Sequence, residues 1–141
     1  MKRHWKYRLV AGMFAAILCV AADGSWLQRV PEADRQRANP YAGQADAVAA
    51  GRKVYMDHCQ KCHGEDGTGR RKKPSLRTGR VQQATDGEIF WLLKNGNLKN
   101  GMPTWSSLPE PTRWQIITFV KSMGTSFVQQ RQANQAQENG R

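Results

Sequence analysis

The 141-residue chain is 39% apolar and 23% charged, with 13 glycines, six prolines and three cysteines. That is the composition of one ordinary globular domain; the glycines keep no triplet period, which excludes a collagen-like chain, and three cysteines are too few for a disulfide scaffold. A formal charge of +11 points to acidic partners or anionic surfaces without choosing among them.

Residues 1–22 open with the basic side chains Lys2, Arg3, Lys6 and Arg8 and no acid. Leu9–Ala22 then forms an uncharged apolar run, broken by Asp23-Gly24-Ser25. Basic, apolar, then small residues is the layout of a secretory signal peptide, and the run is short for a membrane span. Cleavage after Ala22 is expected, with a retained membrane tether through residues 9–22 as the alternative. A lipid-modified Cys19 would want Leu three residues before it and a small residue just before it, where Ala16 and Leu18 stand. Each version places the remainder outside the cytoplasm, in the periplasm or on the outer face of the membrane.

Residues 23–41 read as a polar approach segment outside the folded core, leading into a turn at Asn39-Pro40-Tyr41-Ala42-Gly43. Ala45–His58 is helical in pattern, with Val48, Gly51, Val54 and Tyr55 on one face. Thr85-Asp86-Gly87-Glu88 fits a capping box that opens a second helix, and Asn95-Gly96 closes it. Pro111–Met123 is the third, with Pro111 near its start, Ile116, Ile117, Phe119 and Val120 as apolar positions, and Gly124 at the C′ position. Residues 125–141 hold five glutamines and read as a disordered tail. No β pattern occurs, so the core is expected to be all-α, built on about three main helices. So small a core commonly needs a staple.

Cys59-Gln60-Lys61-Cys62-His63 supplies one. The C-x-x-C-H pentapeptide is the attachment signature of a c-type haem. Two cysteines one helical turn apart can reach the two vinyl groups of one porphyrin as thioethers, and the next residue, His63, then lies beneath the iron. A structural zinc site would need four ligands, and no second cysteine pair is present. A thioredoxin-type redox pair would want a βαβ context, which is missing.

With this motif, Gly64-Glu65-Asp66-Gly67-Thr68-Gly69 after it, then Pro74-Ser75-Leu76 and Gly101-Met102-Pro103, residues 42–124 resemble the class I c-type cytochromes, the small single-haem bacterial electron carriers. The resemblance implies a cytochrome c-like fold wrapped around one covalent haem. It also implies that Met102 is the distal iron ligand, that the Pro74 carbonyl holds the His63 ring, and that Gly51 and Tyr55 of the first helix cross Ile116 and Phe119 of the last. Chain geometry argues for Met102 separately. Met56 lies beside the motif on the proximal side, Met123 closes a helix that packs on the first one, and only Met102 sits in a loop able to wrap the ring. His58, one residue from Cys59, cannot cross to the far face. Trp105 is expected at the distal haem edge, and Trp91 and Trp114 as walls rather than relays.

With His63 and Met102 both on iron, the expected function is an electron carrier cycling Fe(III)/Fe(II), and not an enzyme. The alternatives are a non-catalytic haem subunit of an oxidoreductase complex, or an open-site haem enzyme or gas sensor. The expected partners are redox proteins, such as a dehydrogenase donor and an oxidase or reductase acceptor. The run Arg70-Arg71-Lys72-Lys73 would meet acidic docking surfaces on them. Export argues against nucleic acid.

Overall fold

A computed structural model describes residues 25–140; the signal or anchor expected over residues 1–22, with Cys19, lies outside the described residues. Among the described residues six α-helices follow in order: α1 (Glu32–Arg35), α2 (Ala45–His58), α3 (Gln60–His63), α4 (Arg80–Gln83), α5 (Asp86–Asn95) and α6 (Glu110–Asn139). Among the described residues there is no strand, only an isolated antiparallel bridge between Asn97 and Met102. The all-α expectation, with α2, α5 and α6 as the long elements, matches this architecture.

The three long helices start where local chemistry starts them. At α5 the Thr85 hydroxyl accepts the Glu88 amide at 3.1 Å, and the Glu88 carboxylate accepts the Thr85 amide at 2.8 Å, which closes the capping box in both directions. α6 begins after Pro109, with Pro111 in its first turn, where a missing N–H costs nothing. α2 presents Gly51 to the main chain of α6. A Cβ on Gly51 would lie 2.0 Å from the Gln115 carbonyl oxygen. One turn on, the Tyr55 and Phe119 rings meet edge to face, with centroids 5.2 Å apart. α5 closes the third side through Phe90, which stacks on Trp114 at 4.1 Å.

Two expectations differ from the structure. Residues 23–41 were expected to run outside the domain, yet Trp26 is 4% and Val30 5% exposed, and both join the main core. Asn39 locks the segment in place, donating to Asp86 at 2.9 Å and to the Thr118 hydroxyl at 3.0 Å, while its Oδ1 accepts the Tyr41 amide. Burying one indole and one isopropyl group outweighs the polar character of the stretch around them.

The second difference is the end of α6. Gly124 is not a stop; the helix runs through it to Asn139. Gly124 is small because Gln82 packs on it: a Cβ there would lie 2.2 Å from the Gln82 side-chain oxygen. Beyond it the chain has Gln, Ala, Arg and Glu and no Gly or Pro until Gly140. Such residues propagate a helix well once the costly first turn is already made, and here the buried half of α6 has made it. Residues 129–140 are all exposed. Ending the chain at Val128 should therefore remove helical ellipticity while moving the thermal midpoint by less than about 4 °C. A larger fall in a melting experiment would mean that the projecting helix packs on something within the domain.

Candidate functional site

α2 passes into the motif with little interruption. The Cys59 amide still bonds the Tyr55 carbonyl at 2.8 Å, and the Cys62 and His63 amides both return to the Cys59 carbonyl. The two cysteines therefore stand one turn apart, both as free thiols, Cys59 half-buried and Cys62 exposed. Burial, and secondarily Cys62, pushes the Cys59 thiol up to about 12. It is therefore protonated at neutral pH, the opposite of the depressed thiolate that a redox pair uses. Among the described residues, no three His, Cys, Asp or Glu side chains gather as a metal cluster.

Gly64 ends the turn and the chain enters a long loop. Tyr55 fixes its first residue: the phenol is fully buried and donates to the Gly64 carbonyl at 2.7 Å. Burial above all keeps that phenol far above its ordinary value, so it remains a donor. Further along, the Gly69 amide bonds the His63 carbonyl at 2.8 Å, and the Leu76 amide bonds the Gly67 carbonyl at 2.8 Å. This folds the loop back so that Pro74 faces His63, with Nδ1 3.4 Å from the Pro74 carbonyl oxygen. Burial holds the His63 imidazole below its ordinary value. The Pro74 carbonyl opposes this, and the nearby Lys73 ammonium adds to it. A neutral ring with Nδ1 toward a carbonyl leaves Nε2 free as a donor to a metal.

Met102 sits in a second loop. Its amide and carbonyl pair with Asn97 at 3.1 and 2.9 Å, and the turn Leu98–Asn100 between them is closed by the Gly101 amide on the Leu98 carbonyl. Two residues past Pro103, the Trp105 amide bonds the Leu93 carbonyl at 2.7 Å and returns the chain to α5. Trp105 packs its ring on His58, with centroids 5.1 Å apart, so the end of the Met102 loop meets the end of α2 beside Cys59. Met123 is buried in the core against Gly67, while Met102 is only half-buried. Val54, Leu76, Met102, Trp105 and Leu108 pack on the core without being covered by it, which leaves apolar surface around the motif.

This donor set suits a haem c. It comprises two thiols one turn apart, a neutral imidazole with one nitrogen engaged, a thioether in a turn, and uncovered apolar side chains among them. The sequence pattern of the family described as cytochrome c oxidase, cbb3-type, subunit III matches residues 46–120. The chain belongs to this family. Its cytochrome c-like fold and c-type character follow from that membership. Among curated proteins, the cbb3-type cytochrome c oxidase subunit FixP of Rhizobium etli is 33% identical over 81 residues, 55% of this chain and 28% of the relative. The chain thus matches little more than a quarter of that longer protein. The family match begins at Asp46, so the Trp26–Asn39 segment, with Trp26, Val30 and Asn39 buried, lies outside it.

Pentapeptide, Pro74 and Met102 stand out in the sequence because each belongs to a local pattern. The supports around them were missed. Tyr55 was read only as a packing residue, and nothing in its neighbourhood signals a bond to residue 64. Lys73 was read as one of four surface cations. It instead reaches the Met102 loop, donating to the Asn100 carbonyl at 2.6 Å.

Proposed function

We propose that this chain is an exported electron-carrying haem c domain, with Cys59 and Cys62 binding one haem through thioethers and His63 and Met102 as its axial ligands. When bound, the haem supplies the Fe(III)/Fe(II) couple. Cys59 and Cys62 fix the ring to the end of α2. His63 presents Nε2 because Pro74 engages Nδ1. Met102 offers a neutral thioether, which favours a higher potential than a second nitrogen would. Val54, Leu76, Trp105 and Leu108, partly buried beside the core, would shield the ring from water. His63 and Met102 together would hold the iron from the protein's own side chains and leave it to exchange electrons rather than bind a substrate.

The observation that carries this reading is the Nδ1–carbonyl contact between His63 and Pro74 within an intact C-x-x-C-H motif. Family membership favours a second, compatible role as a non-catalytic haem subunit held on an oxidase of the cbb3 kind. Arg70, Arg71 and Lys72 are exposed and enter no ion pair among the described residues, which suits docking to an acidic redox partner near the motif. The holoprotein, expressed with its own residues 1–22 for export, should keep its colour after acid–acetone extraction and contain one iron per chain. Extractable haem, or ready binding of carbon monoxide by the reduced protein, would replace this reading with an open-site enzyme or sensor.

A further inference from the structure

We infer that Lys73 is a positioning residue for the loop that carries Met102; the inference rests on Met102 being the distal ligand. The two adjacent residues Lys73 and Pro74 serve opposite sides of the site. Pro74 gives its carbonyl to His63 Nδ1 at 3.4 Å, and Lys73 gives its ammonium to the Asn100 carbonyl at 2.6 Å. Asn100 stands two residues before Met102. A Cβ on Gly101 would lie 2.9 Å from the same ammonium nitrogen, so Lys73 rests directly on the turn.

The turn is rigid within itself. Asn97 and Met102 pair through both backbone groups, Asn100 returns to Asn97 at 2.9 Å, and Gly101 returns to Leu98 at 2.9 Å. Its ties to the rest of the domain lie at its two ends, where Gly96 bonds Leu92 and Trp105 bonds Leu93. A shift of residues 97–102 as one body about those ends would lift Met102 from the core residues it packs on. Among the described residues, the bond from Lys73 is the only hydrogen bond joining this body to the 64–79 loop. Its neighbours Arg70, Arg71 and Lys72 are exposed, whereas Lys73 is half-buried.

Such a strap matters because a thioether is a soft, neutral ligand and holds ferric iron weakly. The fraction of time Met102 spends away from iron is then set by how well its loop is restrained, and an added ligand reports that fraction directly. Hydrogen bonds from charged donors are the stronger kind, so losing this one should open the loop about tenfold more often.

The test is imidazole binding to the ferric holoprotein, with the near-infrared sulfur-to-iron band and the melting temperature followed alongside. Lys73→Met keeps the stem and removes the donor; it should bind imidazole about tenfold more tightly than the parent protein while keeping its covalent haem. Lys73→Arg restores a donor and should return the affinity to near that of the parent. Lys53→Met removes the same charge from an exposed position on α2 and should leave the imidazole affinity unchanged. If Lys73→Met binds imidazole as the parent does while Met102→Ala binds it strongly, the role of Lys73 is overturned and the ligand assignment stands. If Lys73→Arg behaves like Lys73→Met, donation to Asn100 is not the cause. If Met102→Ala leaves the affinity unchanged, the ligand assignment itself fails.

Discussion

Met102→Ala is expected to abolish the near-infrared sulfur-to-iron band of the ferric protein, lower its potential by on the order of 0.1 V or more, and open the reduced protein to carbon monoxide. Axial ligands tune haem potentials over a range of ~0.8 V, so exchanging a thioether for water or a nitrogen is a large change on that scale. The other methionines provide the comparison. Met123 is 8% exposed and packs against Gly67, so Met123→Ala should cost stability, about 2–5 kcal/mol for a buried Met→Ala change, and leave the band in place. Met56 stands on the last turns of α2, on the same side of the chain as Cys59, and its alanine variant should also retain the band. A band that survives Met102→Ala and disappears in Met123→Ala would move the distal ligand into α6 and require the Met102 loop to serve another purpose.

A large loss of stability is expected from adding a side chain at Gly51. Any side chain there meets main chain on α6, because a Cβ would lie 2.0 Å from the Gln115 carbonyl oxygen, 2.5 Å from its carbon and 3.0 Å from the Ile116 amide nitrogen. Main chain inside a helix cannot rotate away as a flexible side chain can, so the two helices must separate. Separation strips contacts from the Tyr55–Phe119 pair one turn along. Gly51→Val should destabilise by about 3 kcal/mol, the upper part of the usual overpacking range. For a domain of this size that lowers the thermal midpoint by more than about 10 °C. Gly43→Ala separates crowding from backbone strain. Gly43 has φ +74° and nothing within 4 Å of its Cβ position, so its variant should lose only the cost of a left-handed residue, about 1 kcal/mol. If the two variants melt together, the helix crossing is looser than its geometry implies.

What the sequence made readable was whatever is encoded within a few residues. The bounds of α2, the capping box of α5 and the C-x-x-C-H turn each arise from neighbours along the chain, and each stands where the pattern put it. The end of α6 was misjudged because a glycine after an apolar helix has two physical causes. It can supply a left-handed cap, or it can make room for a neighbour, and only the position of Gln82, 42 residues earlier, selects the second. Trp26 and Val30 escaped notice for a similar reason. A lone indole among polar residues shows no period, and its burial depends on a groove made by the rest of the fold. At the site, donor identities were readable and their supports were not. Tyr55 to Gly64 spans nine residues and Lys73 to Asn100 spans 27, distances over which sequence spacing says nothing about contact.

The burial of Trp26 also limits how far the domain could travel. Only three residues, 23–25, separate the end of the apolar run at Ala22 from a side chain fixed in the core. From Ala22 to Trp26 the chain makes four steps, which fully extended reach about 14 Å. If Leu9–Ala22 stays in a bilayer, the haem domain is moored within that distance of the lipid surface, with no leash on which to swing toward a remote acceptor. Electron exchange would then take place in two dimensions, between proteins that meet by diffusing in the same membrane or that are already bound to one another. If the run is cleaved after Ala22, the indole becomes the fourth residue of a freely diffusing carrier.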